Sequence, residues 1–154
     1  MPSNEELIKR FYTAFQNKDY KTMQTCYADN AKFSDPVFEN LNAAEVKAMW
    51  QMLITRATDM ALEFKNVEAN EHTGIAEWIA TYTFTSTGRK VVNKIKANFV
   101  FENGKIKDHK DDFDFYTWAK QALGFKGLLL GWTSFLHTKV KQQAGNNLKR
   151  FMSK

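Results

Sequence analysis

Cysteine is almost absent from this chain of 154 residues. Cys26 is the single one, which excludes an internal disulfide and a cysteine-built metal site and is typical of a reducing compartment. The three histidines are scattered and the carboxylates are not clustered, so we expect no metal. The polar, acidic residues 1–6 lack the basic start and apolar run of a secretory signal, which favours a cytoplasmic location. A glycine-rich phosphate loop and an RNA-reading aromatic motif are also missing, so we expect no nucleic acid and no cofactor.

Acidic residues are missing from one end of the chain. Residues 115–154 contain seven basic residues and no Asp or Glu, although the net charge of the whole chain is only +5. The preceding residues are therefore slightly acidic, and the high isoelectric point reflects the C-terminal segment rather than a binding face of the main domain.

The length and the 44% apolar content suit one domain with a sizeable core. Apolar residues at helical spacing predict a first helix after Ser3, a short second helix from Tyr20 to about residues 28–30, and a third helix after Asn42. Long alternating patterns then predict strands over residues 61–67, 77–85, 91–102 and 105–113. Helices followed by antiparallel strands indicate an α+β fold whose sheet curls over the helices.

Asp35 lies at the end of a short apolar strand, in the run Phe33-Ser34-Asp35-Pro36-Val37. Residues before proline are held in extended conformations and Asp-Pro pairs favour turns, so chain geometry alone can explain the motif. The alternative is a fixed carboxylate that acts as a general base.

This run and the order of elements resemble the nuclear-transport-factor-2-like superfamily, in its SnoaL-like and ketosteroid-isomerase-like branch, over about residues 3–116. The resemblance implies a cone-shaped domain at residues 1–116, in which a strongly curved antiparallel or mixed sheet wraps around three N-terminal helices and a deep apolar pocket. It also implies a homodimer and a catalytic base at Asp35. The oxyanion donors of the isomerases fall on Phe11 and Ala97, which cannot donate, and Tyr12 lies about 100° away round the helix. Classical steroid isomerisation is therefore not expected.

The last strand offers further acid/base candidates. Alternation places Lys107, His109, Asp111 and Phe113 on one face, and Phe113 suggests that this face points inward. An inward His109 beside Asp111 could move protons near neutral pH. SnoaL-like cyclases similarly carry an acid/base aspartate on a late strand, which corresponds to Asp111. The alternative is that His109 and Asp111 face solvent, and a one-residue bulge in the strand would turn both side chains away from the pocket.

A pocket for a small hydrophobic molecule is predicted from inward-facing side chains. Its members are Tyr12, Trp50, Trp78, Tyr82, Asn93, Phe99 and Phe113. Aromatic residues in such positions can also simply fill the core, and the Asn93 amide could bind a ligand carbonyl or form a cross-strand hydrogen bond. We expect either cofactor-free proton transfer next to a carbonyl, or a non-catalytic ligand-binding or protein-interaction module.

Residues 117–154 predict an amphipathic, basic helical extension. Three roles compete: a lid packed on the same domain, part of a dimer interface, or contact with an anionic membrane surface. Its apolar stretch is too short to span a bilayer. Gly124, Gly127 and Gly131 favour packing on the main domain, and residues 145–147 are expected to fray.

Overall fold

The computed structural model describes residues 3–154, so Met1 and Pro2 of the polar N-terminus lie outside the described residues. Six helices and six strands follow one another along this part of the chain. Their bounds are α1 Asn4–Gln16, α2 Tyr20–Thr25, β1 Tyr27–Ser34, β2 Leu41–Asn42, α3 Ala43–Arg56, β3 Ala61–Ala69, β4 Thr73–Phe84, β5 Arg89–Glu102, β6 Lys105–Asp112, α4 Phe115–Leu123, α5 Phe125–Leu130 and α6 Ser134–Met152.

The strands form one open sheet in the order β2-β1-β6-β5-β4-β3. Only β1 and β6 pair in parallel, and the other neighbours are antiparallel. Helices α1 and α3 supply much of the apolar core against the sheet. The α+β architecture expected from the sequence, with a mixed sheet wrapped on three N-terminal helices, is confirmed.

The predicted starts of α1 and α3 are confirmed by their caps. Ser3 accepts a hydrogen bond from the backbone N–H of Glu6, and Asn42 forms a reciprocal capping box with Glu45. The predicted end of the second helix is wrong, because α2 stops at Thr25. The Cys26 carbonyl accepts the N–H of Ile106, so the chain joins the sheet at once.

Strand β5 alternates as predicted, with every second residue from Val91 to Phe101 buried. Strand β6 does not follow the predicted pattern throughout. A bulge shifts its register on β5 beside Val100, so that Ile106 is buried and Lys107 is exposed. The shift lies before His109, and His109 and Asp111 both remain inward.

The C-terminal helices lie against the sheet and the third helix. Helix α4 contacts β5, α5 packs on α4, and α6 contacts α3. Helix α6 also passes unbroken through residues 145–147, where fraying was expected, because Leu148 is buried in the core. Within residues 3–154 no helix combines the length and apolarity needed to cross a membrane.

Candidate active site

Four buried polar side chains form a chain of hydrogen bonds beneath the sheet. The Trp50 indole N–H donates to the Tyr27 hydroxyl oxygen at 2.8 Å, and that hydroxyl lies 2.8 Å from Nδ1 of His109. The other imidazole nitrogen, Nε2, lies 2.9 Å from Oδ1 of Asp111. All four are nearly inaccessible to solvent, and His109 is fully buried.

Trp50 determines the direction of the protons in this chain. An indole N–H can only donate, so the Tyr27 oxygen accepts from Trp50 and has its own proton left to give. That proton satisfies Nδ1 of His109, which places the imidazole proton on Nε2, where it is donated to Asp111. Every donor is used in this arrangement, whereas a proton on Nδ1 would leave the Tyr27 hydroxyl with no acceptor.

Asp35 both closes a turn and faces a cavity. Its Oδ1 accepts the backbone N–H groups of Val37 at 2.7 Å and Phe38 at 2.6 Å, while Oδ2 has no hydrogen-bond partner among the described residues. Burial raises the pKa of this carboxyl group to about 7. The two backbone donors oppose the rise, and the negative charge of Asp111 adds to it. The turn predicted from the sequence is therefore present, and the same carboxyl group also lines the cavity.

The cavity has a volume of about 540 Å³ and lies between the sheet, α3, α4 and α6. Most of the polar and aromatic side chains predicted from the sequence line it. They are Asp35, Trp50, Trp78, Tyr82, Asn93, Asp111 and Phe113. Helix α6 adds Leu136, Lys139, Val140 and Ala144 to the wall, and its His137 hydrogen-bonds the carbonyl of Pro36 in the Asp35 turn.

Three predicted site residues do not reach the cavity wall. Tyr12 stacks on Phe64 inside the core, with ring centroids 5.5 Å apart, because it lies on the face of α1 that packs on the sheet. Phe99 packs against the His109 ring at 4.4 Å. His109 does not line the cavity, but its Nε2 contacts Asp111, which does.

Two polar groups on the wall have capacity left for a ligand. The Tyr82 hydroxyl accepts the indole N–H of Trp118 at 2.8 Å, and its own proton has no acceptor among the described residues. Asn93 is 8% exposed, and its side chain makes no hydrogen bond among the described residues. The cross-strand hydrogen bond considered from the sequence is therefore not formed. Asn93 pairs with Ala80 and Tyr82 with Val91, which makes the two side chains diagonal neighbours on one face.

Sequence reasoning missed Tyr27 and Trp118 as site residues. Tyr27 was assigned to the second helix, although its spacing to Ala31 and Phe33 fits the buried face of a strand. Trp118 was assigned only to a helix of the extension. The contact of its indole with Tyr82 depends on where α4 docks, for which the sequence carries no local signal.

The positions expected to lack oxyanion donors are closed by apolar side chains. Phe11 is fully buried, with its ring 5.7 Å from that of His109, and Ala97 lies opposite Asp111 in the sheet. Among residues 3–154 no group of three or more histidine, cysteine or acidic side chains is placed to hold a metal ion.

The open mixed sheet wrapped on three helices is the fold of nuclear-transport-factor-2-like proteins. The family model of the SnoaL-like domain matches residues 8–109. The chain therefore belongs to the SnoaL-like family. No match is found among curated proteins.

Solved structures with little sequence identity share this fold. A putative polyketide cyclase from Pseudomonas putida has a TM-score of 0.67 at 17% identity, over 79% of this chain and 99% of the cyclase. TerC, co-crystallised with polyporic acid, has a TM-score of 0.66 at 16% identity, over 77% and 96% of the two chains. An NTF2-like protein of unknown function from Burkholderia pseudomallei has a TM-score of 0.65 at 20% identity, over 74% and 92%.

Proposed function

We propose that the cavity binds a small hydrophobic carbonyl compound and that Asp35 moves a proton on the carbon next to the carbonyl. The observation that carries the proposal is that Asp35, with one unpartnered carboxyl oxygen, lines the same cavity as the Tyr82 hydroxyl and the Asn93 amide. A proton transfer of this kind needs one tuned base and hydrogen-bond donors for the oxygen, and it requires no cofactor.

Asp35 has the properties of a general base at neutral pH. A base is most effective when its pKa lies near the working pH, and that of Asp35 is raised to about 7. Its Oδ1 is fixed by two backbone N–H groups, so Oδ2 is the atom that takes the proton from carbon.

Negative charge then develops on the carbonyl oxygen of the substrate. The free proton of Tyr82 and the amide N–H₂ of Asn93 are the donors that would receive it. They would replace the donors missing at Phe11 and Ala97.

Asp111 is the second acid/base group of the proposal, and it would return the proton or hold a substrate hydroxyl. His109 is a positioning residue, since its Nε2–H fixes Oδ1 of Asp111 and leaves Oδ2 for the substrate. Tyr27 and Trp50 fix the imidazole in turn.

The test has two stages. A panel of small aromatic and alicyclic ketones and β-dicarbonyl compounds is first screened for binding by the thermal shift of the full chain. Each compound that binds is then incubated in D₂O, and deuterium incorporation next to the carbonyl is followed by NMR. We expect wild-type protein to accelerate exchange and Asp35→Asn to lose at least about a hundredfold of that acceleration.

Asp112→Asn is the matched control, because Asp112 lies on the same strand with its side chain exposed, and it should exchange at the wild-type rate. Tyr82→Phe should bind the compounds and exchange them more slowly. If bound compounds exchange no faster than with Asp35→Asn, the chain is not a proton-transfer enzyme of this kind.

The alternative is ligand binding without catalysis, or a protein-interaction role. It is supported by Phe11 and Ala97, which occupy the positions of the usual oxyanion donors. Binding of several compounds with no exchange of any of them would favour it. Homodimer formation and a cytoplasmic location stay predictions from the sequence.

A further inference from the structure

Six large apolar side chains of the C-terminal segment are exposed side by side in the chain. Their exposure runs from 40% for Leu130 to 75% for Trp132. We call them the apolar patch: Phe125, Leu128, Leu129, Leu130, Trp132 and Phe135. Soluble domains expose such residues singly, and six of them within residues 125–135 indicate a surface that meets another apolar phase.

The packing of α5 explains why its apolar side chains, from Phe125 to Leu130, point outward. The helix is held against α4 by its glycines: a Cβ at Gly127 would overlap the carbonyl of Ala119, and one at Gly131 would press on the Tyr116 ring and on Ala119. The smallest residues are therefore buried and the largest apolar ones face solvent. An ordinary amphipathic helix has the reverse arrangement.

The charged residues of the segment that carries the patch are all basic. Lys126 lies within it, and Nζ of Lys139 sits 5.5 Å from the centroid of the Phe135 ring. Neither lysine has a carboxylate partner among the described residues, whereas Lys141 is paired with Glu39. Residues 115–154 contain no acidic residue at all.

We propose that the apolar patch docks on an anionic lipid surface, with Phe125, Trp132 and Phe135 in the acyl boundary and the lysines at the headgroups. Exposed apolar side chains beside cations are the features that interfacial segments combine. A second copy of this chain fits the patch less well, because it would bring two segments of the same positive charge together. The proposal does not depend on whether the cavity is catalytic.

Lys126 and Lys139, which lie beside the patch, also line the cavity. Docking of the patch would therefore bring this part of the cavity wall close to the lipid surface. This position suits a hydrophobic ligand that partitions into membranes rather than one that diffuses freely in water.

Co-sedimentation of the full chain with vesicles tests the proposal. We expect binding to vesicles of phosphatidylcholine mixed with phosphatidylglycerol, weaker binding to pure phosphatidylcholine, and a decline with rising salt. Trp132 gives a second readout, because Trp50, Trp78 and Trp118 are buried. Its emission should shift to shorter wavelength on binding, and Trp132→Phe should still bind but lose most of the shift.

Two double variants, each with a matched control, distinguish binding through the patch from nonspecific adsorption to vesicles. Phe125→Ser with Phe135→Ser should reduce vesicle affinity by at least about tenfold, whereas Ile75→Ser with Val100→Ser, on the outer face of the sheet, should leave it unchanged. Lys126→Gln with Lys139→Gln should cost roughly fivefold per lysine. Lys94→Gln with Lys96→Gln is the control on the outer sheet face.

Three results would overturn the proposal. The first is no binding to the anionic vesicles at low salt. The second is equal binding of the patch variant and the wild-type chain, with circular dichroism showing both folded. The third is a wild-type dimer that the patch variant converts to a monomer, which would assign the patch to a second copy of the chain.

Discussion

Three tyrosines, of which Tyr12 and Tyr27 are buried and Tyr82 is half-buried, differ in what their hydroxyl groups donate to. The Tyr27 proton is used by His109, and the Tyr82 proton is free at the cavity wall. The Tyr12 hydroxyl is buried with no partner among the described residues. These differences follow from their neighbours, because tryptophan N–H groups occupy the oxygens of Tyr27 and Tyr82 and none reaches Tyr12.

Removing the Tyr27 hydroxyl and removing the Tyr12 hydroxyl should affect the free energy of unfolding differently. Tyr27→Phe leaves the Trp50 N–H and Nδ1 of His109 buried without partners, which should lower the free energy of unfolding by about 2 kcal/mol or more. Tyr12→Phe removes an unpaired polar atom, so it should be neutral or stabilising. Urea denaturation of both variants measures the difference. Equal losses would mean that the Tyr27 hydrogen bonds do not form.

The pKa of Asp35 predicts how stability depends on pH. Since the pKa is raised from an ordinary value near 3.9 to about 7 in the folded chain, the folded state keeps a proton that the unfolded state has lost. Stability contributed by Asp35 is therefore present at low pH and is lost as the pH rises through about 7. Asp35→Asn keeps both backbone hydrogen bonds and cannot ionise.

The variant should accordingly match wild type below about pH 4 and be more stable by on the order of 4 kcal/mol above about pH 8, in thermal or urea unfolding. Asp114→Asn should change stability with the opposite pH dependence. A hydrogen bond from Thr117 lowers the pKa of Asp114, so this substitution should cost stability at neutral pH and become neutral in acid. A constant difference between Asp35→Asn and wild type across the pH range would contradict the raised pKa.

At the scale of helices and strands, local signals predicted most of the structure. Caps at Ser3 and Asn42 and the alternation of β5 depend on neighbouring residues, so they can be read from the chain. The early end of α2 could not be read in this way. It is imposed by pairing of the chain at Cys26 with Ile106, 80 residues away in the sequence.

Register could be predicted only where it is regular. The inward positions of His109 and Asp111 were expected from alternation with Phe113, and they hold despite the bulge near Ile106. Lys107 was placed on the wrong face because the bulge depends on the β5 partner strand. Alternation also predicted that Asn93 faces the cavity, but it missed Tyr27, whose contact with His109 forms only because β1 lies beside β6.

Two glycines of the C-terminal helices should respond oppositely to alanine. Gly127→Ala forces α5 away from α4, because the new methyl group meets the Ala119 carbonyl, and should cost roughly 1–3 kcal/mol. Gly145 lies inside α6 with open space where its Cβ would be. Gly145→Ala should therefore stabilise by about 0.5–1 kcal/mol through helix propensity. Chemical denaturation distinguishes them, and a stable Gly127→Ala variant would contradict the close contact of the two helices.

At the scale of the whole molecule, the cavity is a product of two parts of the chain. The sheet and α3 supply its floor, and α6 returns across it with Leu136, Val140 and Ala144 on the wall. The sequence predicted an amphipathic extension and favoured packing on the main domain. It left open where the helix would lie, because that position depends on long-range contacts such as His137 with Pro36.

Filling the part of the cavity that α6 lines should prevent a ligand from binding without changing the acid/base groups. Ala144→Trp places an indole into the space lined by α6, and we expect at least about a tenfold loss of affinity for compounds that the wild-type chain binds. Gln142→Trp adds the same side chain at an exposed position and should bind normally. Isothermal titration measures both. Unchanged affinity in Ala144→Trp would mean that ligands bind elsewhere.

The match to the family ends at residue 109, but the cavity wall continues through Phe113, Trp118 and the residues of α6. The matched part of the wall carries Asp35, and the part beyond it carries Asp111 and the residues of α6. Exchanging residues 115–154 between chains of this fold would therefore change what fits in the cavity and leave Asp35 in place.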